Sequence, residues 1–122
     1  MHIVKQSNDS FTNFAVITKL ECIIKFIDEN IDKTISMKQI SDLVSLSPDY
    51  ISSQFKKYNG YSIIKYFNMR KMDRAKQILM ESNDKIKYIA ISLGFKDEFY
   101  FSRVFKKFEG MTPKEFREKA NN

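Results

Sequence analysis

Several residue types that build other classes of protein are scarce in this sequence. It contains one cysteine, Cys22, and one histidine, His2, too few for an internal disulfide or a cluster of zinc ligands. No apolar run approaches the roughly 20 residues that span a bilayer. Residues 1–10 are polar and lack the apolar core of a secretory signal. These absences predict a cytoplasmic protein that uses no metal, no cofactor and no membrane.

Glycine and proline, which are common in the tight turns of sheet proteins, are also rare, with three and two copies in 122 residues. Long stretches are instead rich in Lys, Ile, Phe, Met and Glu. At 43% hydrophobic residues, the chain can bury a modest core in one domain or in two small lobes. The composition therefore favours an all-α fold.

The formal net charge of +6 is unevenly distributed along the chain. Residues 1–35 hold four lysines and five acids, whereas the remaining 87 residues hold 17 basic and 10 acidic side chains. A basic segment of this kind points to a polyanionic partner, either nucleic acid or an anionic membrane surface.

The first half of the chain has the pattern of three helices. A first helix is predicted over about 13–30, following a flexible tail over residues 1–12. Its buried face is expected to hold Ile17, Leu20, Ile24 and Ile27. Ser36 and Gln39 form a capping box that begins a second helix, whose buried face is expected to hold Ile40, Leu43 and Val44. Ser47-Pro48 begins a third, which Gly60 ends as a left-handed cap. Two short helices joined by a three-residue turn make a helix-turn-helix subdomain over 13–60.

A repeat at a spacing of about 50 residues follows a long linker helix. The linker spans 61–83, and Ser82-Asn83-Asp84 is predicted to break it and cap the next helix. "MKQISDLVSLSPDYISSQFKKYNGYS" then reappears as "IKYIAISLGFKDEFYFSRVFKKFEGMT". The second copy defines a second helix-turn-helix subdomain over 84–120, closed by a C-terminal helix that Thr112-Pro113 caps. About seven helices are expected.

Each copy offers one helix with a buried face and a polar face, as a helix in the major groove of DNA requires. In the first copy Ile51 and Phe55 pack inward, and in the second Phe101, Phe105 and Phe108 do so. The side chains left facing outward are Asp49, Ser52, Ser53 and Lys56 in the first copy, and Lys96, Glu98, Phe99, Ser102, Arg103 and Lys106 in the second.

Arg103 is the leading candidate for base readout, because a guanidinium can donate two hydrogen bonds to one guanine. The alternative is an exposed arginine paired with Glu98 or Glu109. Flexible ammonium groups contact phosphates without reading sequence, and ordinary solvated positions are the alternative for them. The predicted phosphate contacts are Ser36, Lys56, Lys57, Lys96, Lys106 and Lys107. On the linker helix, Lys65, Arg70, Lys71 and Arg74 either face phosphates or form a solvated basic face.

A helix of 21 residues is about 31 Å long. That length is close to the roughly 34 Å between successive major-groove faces on one side of B-DNA. One chain is therefore expected to occupy two adjacent grooves of double-stranded DNA without dimerising.

The segment "IKYIAISLGFKDEFYFSRVFKKFEGMTPKEFR" resembles the signature of the AraC/XylS family of bacterial transcription regulators, and the resemblance extends from about Leu20 to Ala120. It implies a seven-helix, two-lobed DNA-binding domain with recognition helices near 48–58 and 97–108. It also implies base-facing roles at Asp49, Ser52, Ser53, Glu98, Phe99, Ser102 and Arg103.

Two positions depart from the family pattern. Ser45 stands where many relatives have glycine before the first recognition helix, and Ser53-Gln54 stands where many have arginine. A left-handed backbone at Ser45 costs of order 1 kcal/mol more than it does at glycine. The first unit is left with two possible roles, which are direct readout or phosphate contacts with shape reading.

Two other functions remain as alternatives. Some DNA-repair methyltransferases carry a similar module beside a reactive cysteine, but Cys22 lies on a helix where it is predicted to be packed or half-buried. The second alternative is a module of the same fold that docks RNA polymerase or another regulator and has lost specific DNA binding. Salt dependence separates this last possibility from DNA binding.

Overall fold

The structure, a computed structural model, describes the backbone of residues 2–122 and the side chains of residues 13–122. Within this part of the chain there are seven helices and no strand, which confirms the all-α fold. The helices are α1 (His2–Glu29), α2 (Met37–Val44), α3 (Pro48–Asn59), α4 (Ile63–Glu81), α5 (Ile86–Ser92), α6 (Glu98–Glu109) and α7 (Pro113–Ala120).

The chain divides into two compact units. Unit 1 contains the described residues up to Glu29 together with Ile35–Ile63, and unit 2 contains Asn30–Thr34 together with Ile64–Asn122. The helix-turn-helix pair α2 and α3 belongs to unit 1, and the pair α5 and α6 belongs to unit 2. Nearly all of α4 is part of unit 2, whereas the sequence predicts a separate linker over residues 61–83.

Helix α1 begins at His2, eleven residues before the start expected from the apolar pattern. The flexible tail predicted for residues 1–12 falls outside the side chains that the structure describes. From residue 13 onward, Leu20, Ile23 and Ile27 are buried, whereas Ile17 and Ile24 are half-buried. The buried face is therefore rotated slightly from the one that the spacing predicted.

Most predicted helix starts are confirmed by their hydrogen bonds. The Ser36 hydroxyl accepts from the Gln39 backbone N–H, and the Gln39 side chain accepts from the Ser36 N–H at 2.8 Å. Thr112 and Glu115 form the same reciprocal pair at the start of α7. Ser47 caps α3 by accepting from the Tyr50 N–H. These bonds satisfy donors that a helix N-terminus otherwise leaves without partners.

The predicted cap before α5 is wrong. Helix α5 begins at Ile86, and its N-cap residue is Lys85, which provides no side-chain cap. The Ser82 hydroxyl instead donates to the Ile78 carbonyl at 2.9 Å and accepts from the Asp84 N–H. Ser82 therefore completes the end of α4, because a hydroxyl there can reach a carbonyl one turn back.

The two units have matching cores. In unit 1, Ile51 and Phe55 of α3 are fully buried, as predicted, beside Ile40 and Val44 of α2. Leu43, predicted to be buried, is 45% exposed. In unit 2, the core holds Met72, Ala75, Leu79, Ile89, Ala90, Leu93, Phe101 and Phe105. Phe108, which was expected to pack inward, is half-buried against this core.

Candidate nucleic-acid interface

The outward face of α3 in unit 1 is polar and accessible. Asp49, Ser52 and Ser53 are all exposed, while Ile51 and Phe55 on the opposite face are buried. Pro48 at the first helical position and the Ser47 cap fix where this face starts. The three side chains predicted to face bases therefore share the exposed side of one helix.

The C-terminal end of α3 is tied to α1 within unit 1. The Tyr58 hydroxyl donates to Oε1 of Glu21 at 3.1 Å. That hydrogen bond, followed by slight burial and the carboxylate charge, raises the pKa of Tyr58 above its usual value. The pair fixes Tyr58 at the end of α3, beside the exposed Lys56 and Lys57.

Helix α6 in unit 2 is anchored by aromatic packing. The Phe101 ring lies 5.2 Å from that of Phe95 and 5.9 Å from that of Phe105, and Phe105 contacts Phe116 edge-on at 5.6 Å. Offset and edge-to-face ring pairs of this kind add to the apolar burial. Because this face is locked into the core, the opposite face of α6 is held in a fixed orientation.

That opposite face carries Phe99 and Arg103, one helical turn apart. Phe99 is 69% exposed, and Arg103 is also exposed. Of the other side chains predicted to face bases here, Glu98 and Ser102 are half-buried. An exposed phenylalanine next to an exposed arginine offers an apolar contact and a two-pronged donor, which match the thymine methyl group and the guanine edge respectively.

The ion pairs considered for Arg103 do not form among the described side chains. Glu109 binds Lys76 instead, with 2.8 Å between Nζ and Oε1, and this bond raises the pKa of Lys76. The Arg103 guanidinium carbon lies 5.7 Å from the centre of the Tyr100 ring, within range of a weak cation–π contact. The guanidinium donors are thus available to a ligand.

The side chains predicted to contact phosphates are accessible. Ser36, Lys56, Lys57, Lys96, Lys106 and Lys107 are exposed. The Ser36 hydroxyl is already engaged as the cap of α2. Lys106 lies close enough to Glu115 to contribute to lowering the pKa of that carboxyl group, although the two hydrogen bonds from Thr112 are the larger causes. Both lysine pairs sit in the last turn of their helices, where they also offset the helix dipole.

A cleft of about 480 Å³ lies beside α6 in unit 2. Phe67, Phe95 and Tyr100 form aromatic walls, and its basic lining residues are Lys33, Lys71, Lys96 and Arg103. The sequence pattern did not single out this cleft, because its walls come from three segments that are distant along the chain.

Lys71 differs from the sequence-based expectation. It was grouped with Lys65, Arg70 and Arg74 as a candidate for the phosphate-facing side of α4, but only 4% of Lys71 is exposed. Arg70 pairs with Asp73 at 3.1 Å on the surface. Lys71 therefore cannot reach DNA, and its ammonium group serves a contact inside unit 2.

Cys22 is exposed and not packed, contrary to the expectation from the sequence. Among residues 13–122 no group of three or more His, Cys, Asp or Glu side chains is arranged to hold a metal ion. Nor does any described helix combine the length and apolarity that crossing a bilayer requires.

Comparison with known proteins matches residues 40–119 to the family model described as "Helix-turn-helix domain". The chain is 32% identical over 104 residues to the regulatory protein PocR of Salmonella typhimurium, covering 85% of this chain but only 34% of PocR. It is 31% identical over 98 residues to the multiple antibiotic resistance protein MarA of Escherichia coli, covering 80% of this chain and 77% of MarA.

A third relative bears on the enzymatic alternative. The bifunctional transcriptional activator/DNA repair enzyme AdaA of Bacillus subtilis is 31% identical over 99 residues, which are 81% of this chain and 47% of AdaA. The chain thus spans about a third of PocR and about half of AdaA.

Solved structures share the fold. An AraC-type DNA-binding domain protein from Chromobacterium violaceum superposes with a TM-score of 0.78 at 27% identity, covering 86% of this chain and 94% of that one. The DNA-binding domain of AdpA, solved in complex with a target DNA, gives 0.77 at 15% identity, covering 82% and 90%.

Proposed function

Because the chain belongs to the AraC-type family of helix-turn-helix DNA-binding transcription regulators, we propose that it reads two adjacent major-groove segments of one operator, with α3 in one and α6 in the other. The family assignment makes the chain a DNA-binding regulatory domain. Within that domain, α6 and α3 have different roles, and particular side chains on each helix carry them.

The observation that carries the proposal is the two-sided construction of α6. Phe101 and Phe105 are completely buried, while Phe99 and Arg103 project from the opposite face without a competing carboxylate. Arg103 donates to O6 and N7 of a guanine, and Phe99 packs against a thymine methyl group, each contact contributing to discrimination between bases. Glu98 and Ser102 border this pair and contact the same base steps.

The face of α3 supports a weaker reading role for unit 1. Asp49, Ser52 and Ser53 have short side chains, and none of them has the reach or the paired donors of an arginine. Serine hydroxyls accept or donate to several bases with little discrimination. Unit 1 therefore contributes mainly affinity, through Lys56, Lys57 and the α2 end at Ser36.

Three further assignments follow from this function. The chain binds as a monomer, since it carries both reading helices. It acts from the cytoplasm on nucleoid DNA. RNA polymerase is its partner at the promoter, and its role is regulatory binding of DNA and not catalysis.

The experiment that tests the proposal selects bound duplexes from a random pool at near-physiological salt, with the wild-type chain and with Arg103→Ala. Lys107→Ala is the matched control, because it removes one positive charge from the same helix. We expect two enriched boxes about one helical turn apart. Arg103→Ala should relax one G·C pair, whereas Lys107→Ala should weaken all sequences equally.

One enriched box in place of two would remove base reading from unit 1. An absence of both enrichment and salt-sensitive binding would overturn the proposal in favour of a protein-docking module, because a protein that neutralises several phosphates must lose affinity steeply as salt rises.

A further inference from the structure

The ammonium group of Lys71 joins two segments of unit 2 that are far apart in the sequence. Its Nζ donates to the carbonyl oxygens of Ile31 at 2.7 Å and Lys33 at 3.0 Å, and to that of Leu93. Ile31 and Lys33 lie in the segment Asn30–Thr34, which follows α1, and Leu93 is the C-cap of α5. All three donors of the ammonium are thereby used on main-chain carbonyls.

The surroundings of Lys71 hold its side chain in one position. The ammonium lies 4.4 Å from the centre of the Phe67 ring and 5.4 Å from that of Phe95. Both distances fall within the range of cation–π attraction. Next to Leu93, Gly94 has φ of +83°, and a Cβ atom there would stand 3.0 Å from the Lys71 Nζ and 3.0 Å from the Lys33 carbonyl carbon. The glycine gives the ammonium room.

The bonded turn leads directly into α6. Leu93 and Gly94 are followed by Phe95, whose ring packs on Phe101, and by Asp97, whose carboxylate caps α6 by accepting from the Tyr100 N–H at 2.8 Å. The Thr34 hydroxyl also donates to the Gly94 carbonyl. Displacement of the Leu93 carbonyl therefore moves the residues that fix where α6 starts.

We infer that Lys71 is a positioning residue for DNA recognition: its three carbonyl bonds fix the turn between α5 and α6, and through it the orientation in which α6 presents Phe99 and Arg103 to bases. Lys71 touches no DNA. The expected effect on sequence selectivity rests on the proposed function, whereas the role of Lys71 in fixing the turn does not.

The test measures affinity for the selected duplex and for a scrambled duplex over a range of salt concentrations, at a temperature where circular dichroism shows each variant folded. Lys71→Met keeps the length of the side chain and removes the ammonium. Lys87→Met, on the exposed side of α5, removes the same charge. Lys71→Met should lower the ratio of the two affinities at least tenfold with an unchanged salt slope, and Lys87→Met should leave the ratio as in wild type.

A second pair of variants keeps the inference testable if Lys71→Met does not fold. Gly94→Ala places a methyl group against the ammonium, and Gly110→Ala serves as its control because Gly110 has a similar φ of +79° and nothing within 4 Å of the added atom. Selectivity should fall with Gly94→Ala and persist with Gly110→Ala.

Two results would overturn the inference. One is a folded Lys71→Met or Gly94→Ala variant with wild-type selectivity. The other is a Lys71→Met variant that loses the same affinity for both duplexes and whose slope of log affinity against log salt is reduced by about one. That is the behaviour of a phosphate contact.

A measurement without DNA separates this inference from the proposed function. Amide resonances of Leu93–Asp97 and of the first turn of α6 should shift in Lys71→Met and stay in place in Lys87→Met. If the wild-type chain selected no DNA sequence, the proposed function would fail, and these shifts would still decide whether Lys71 positions α6. Unmoved resonances would refute the positioning role.

Discussion

Ser45 and Gly94 occupy the same position in the two copies of the repeat, five residues after Ile40 and Ile89, and both have a left-handed backbone, with φ of 56° and 83°. Ser45 is the one non-glycine residue with positive φ among the described residues. Its N–H donates to the Ser41 carbonyl and closes α2. Both turns thus place a left-handed residue at this position of the repeat, but only the second copy has the residue that adopts it without a steric cost.

Replacing Ser45 by glycine should stabilise the protein. The side chain is exposed, so little packing is lost, and relief of the left-handed strain should raise the free energy of unfolding by about 1 kcal/mol. Urea denaturation followed by circular dichroism measures the change. Ser53→Gly, in the exposed interior of α3, is the control and should lower the same quantity by a few tenths of a kcal/mol. Equal effects of the two substitutions would contradict the strain at Ser45.

Phe99→Ala should reduce sequence selectivity without reducing stability. Phe99 is 69% exposed and contributes little to the core, so the free energy of unfolding should stay within about 0.5 kcal/mol of wild type. Loss of contact with a thymine methyl group should weaken preference at one A·T pair. Competition with duplexes in which that thymine is replaced by uracil measures the methyl contribution directly. A wild-type chain that binds thymine and uracil duplexes equally would remove this role from Phe99.

The lysines at the ends of α3 and α6 should act on affinity alone. Lys56→Ala and Lys106→Ala each remove one exposed positive charge at matching positions of the repeat. Each is expected to reduce the slope of log affinity against log salt by about 0.9, equally for selected and scrambled duplexes. Fluorescence anisotropy over a salt series provides the slopes. Lys87→Ala is the control, and a reduction of its slope by the same amount would show only a general charge effect.

Because of the buried Lys71 ammonium, the free energy of unfolding should depend on pH in the alkaline range. Burial, opposed in part by attraction to Asp32, lowers the pKa of Lys71 from 10.5 to about 8. Between these two values the unfolded chain holds the proton while the folded chain releases it. The contribution of this group to the free energy of unfolding therefore increases as pH rises through that window, by about 2 kcal/mol between pH 7 and 10.

The difference in unfolding free energy between wild type and Lys71→Met isolates that contribution, because other titrating groups are common to both proteins. We expect the difference to move in favour of wild type as pH rises from 7 to 10. A difference that stays constant would mean that Lys71 titrates alike in both states. Lys87→Met, which removes an exposed ammonium from α5, is measured in parallel as the control.

Much of this architecture is encoded locally. Ser36 with Gln39, Ser47 with Pro48, and Thr112 with Glu115 set helix starts through hydrogen bonds that span only three residues, so the sequence alone locates them. The repeat aligns Phe55 with Phe105, and both are fully buried. Apolar periodicity, capping residues and the duplication are sufficient to predict two helix-turn-helix units and their outward faces.

The burial of Lys71 and the hydrogen bonding of Ser82 depend on the tertiary structure, because they involve contacts or helix boundaries that no local pattern shows. Helical spacing places Lys71 four residues after Phe67 and four before Ala75, on the apolar side of α4. Only the contacts of its ammonium with Asn30–Thr34 and the α5 end show how that charge is held away from water. Ser82 likewise closes α4 and does not cap α5, because α5 starts later than the capping pattern indicated. The sequence predicted the order of the helices and most of the faces that they bury. The packing of segments decided which charged side chain is removed from water, because desolvation depends on neighbours that lie tens of residues away.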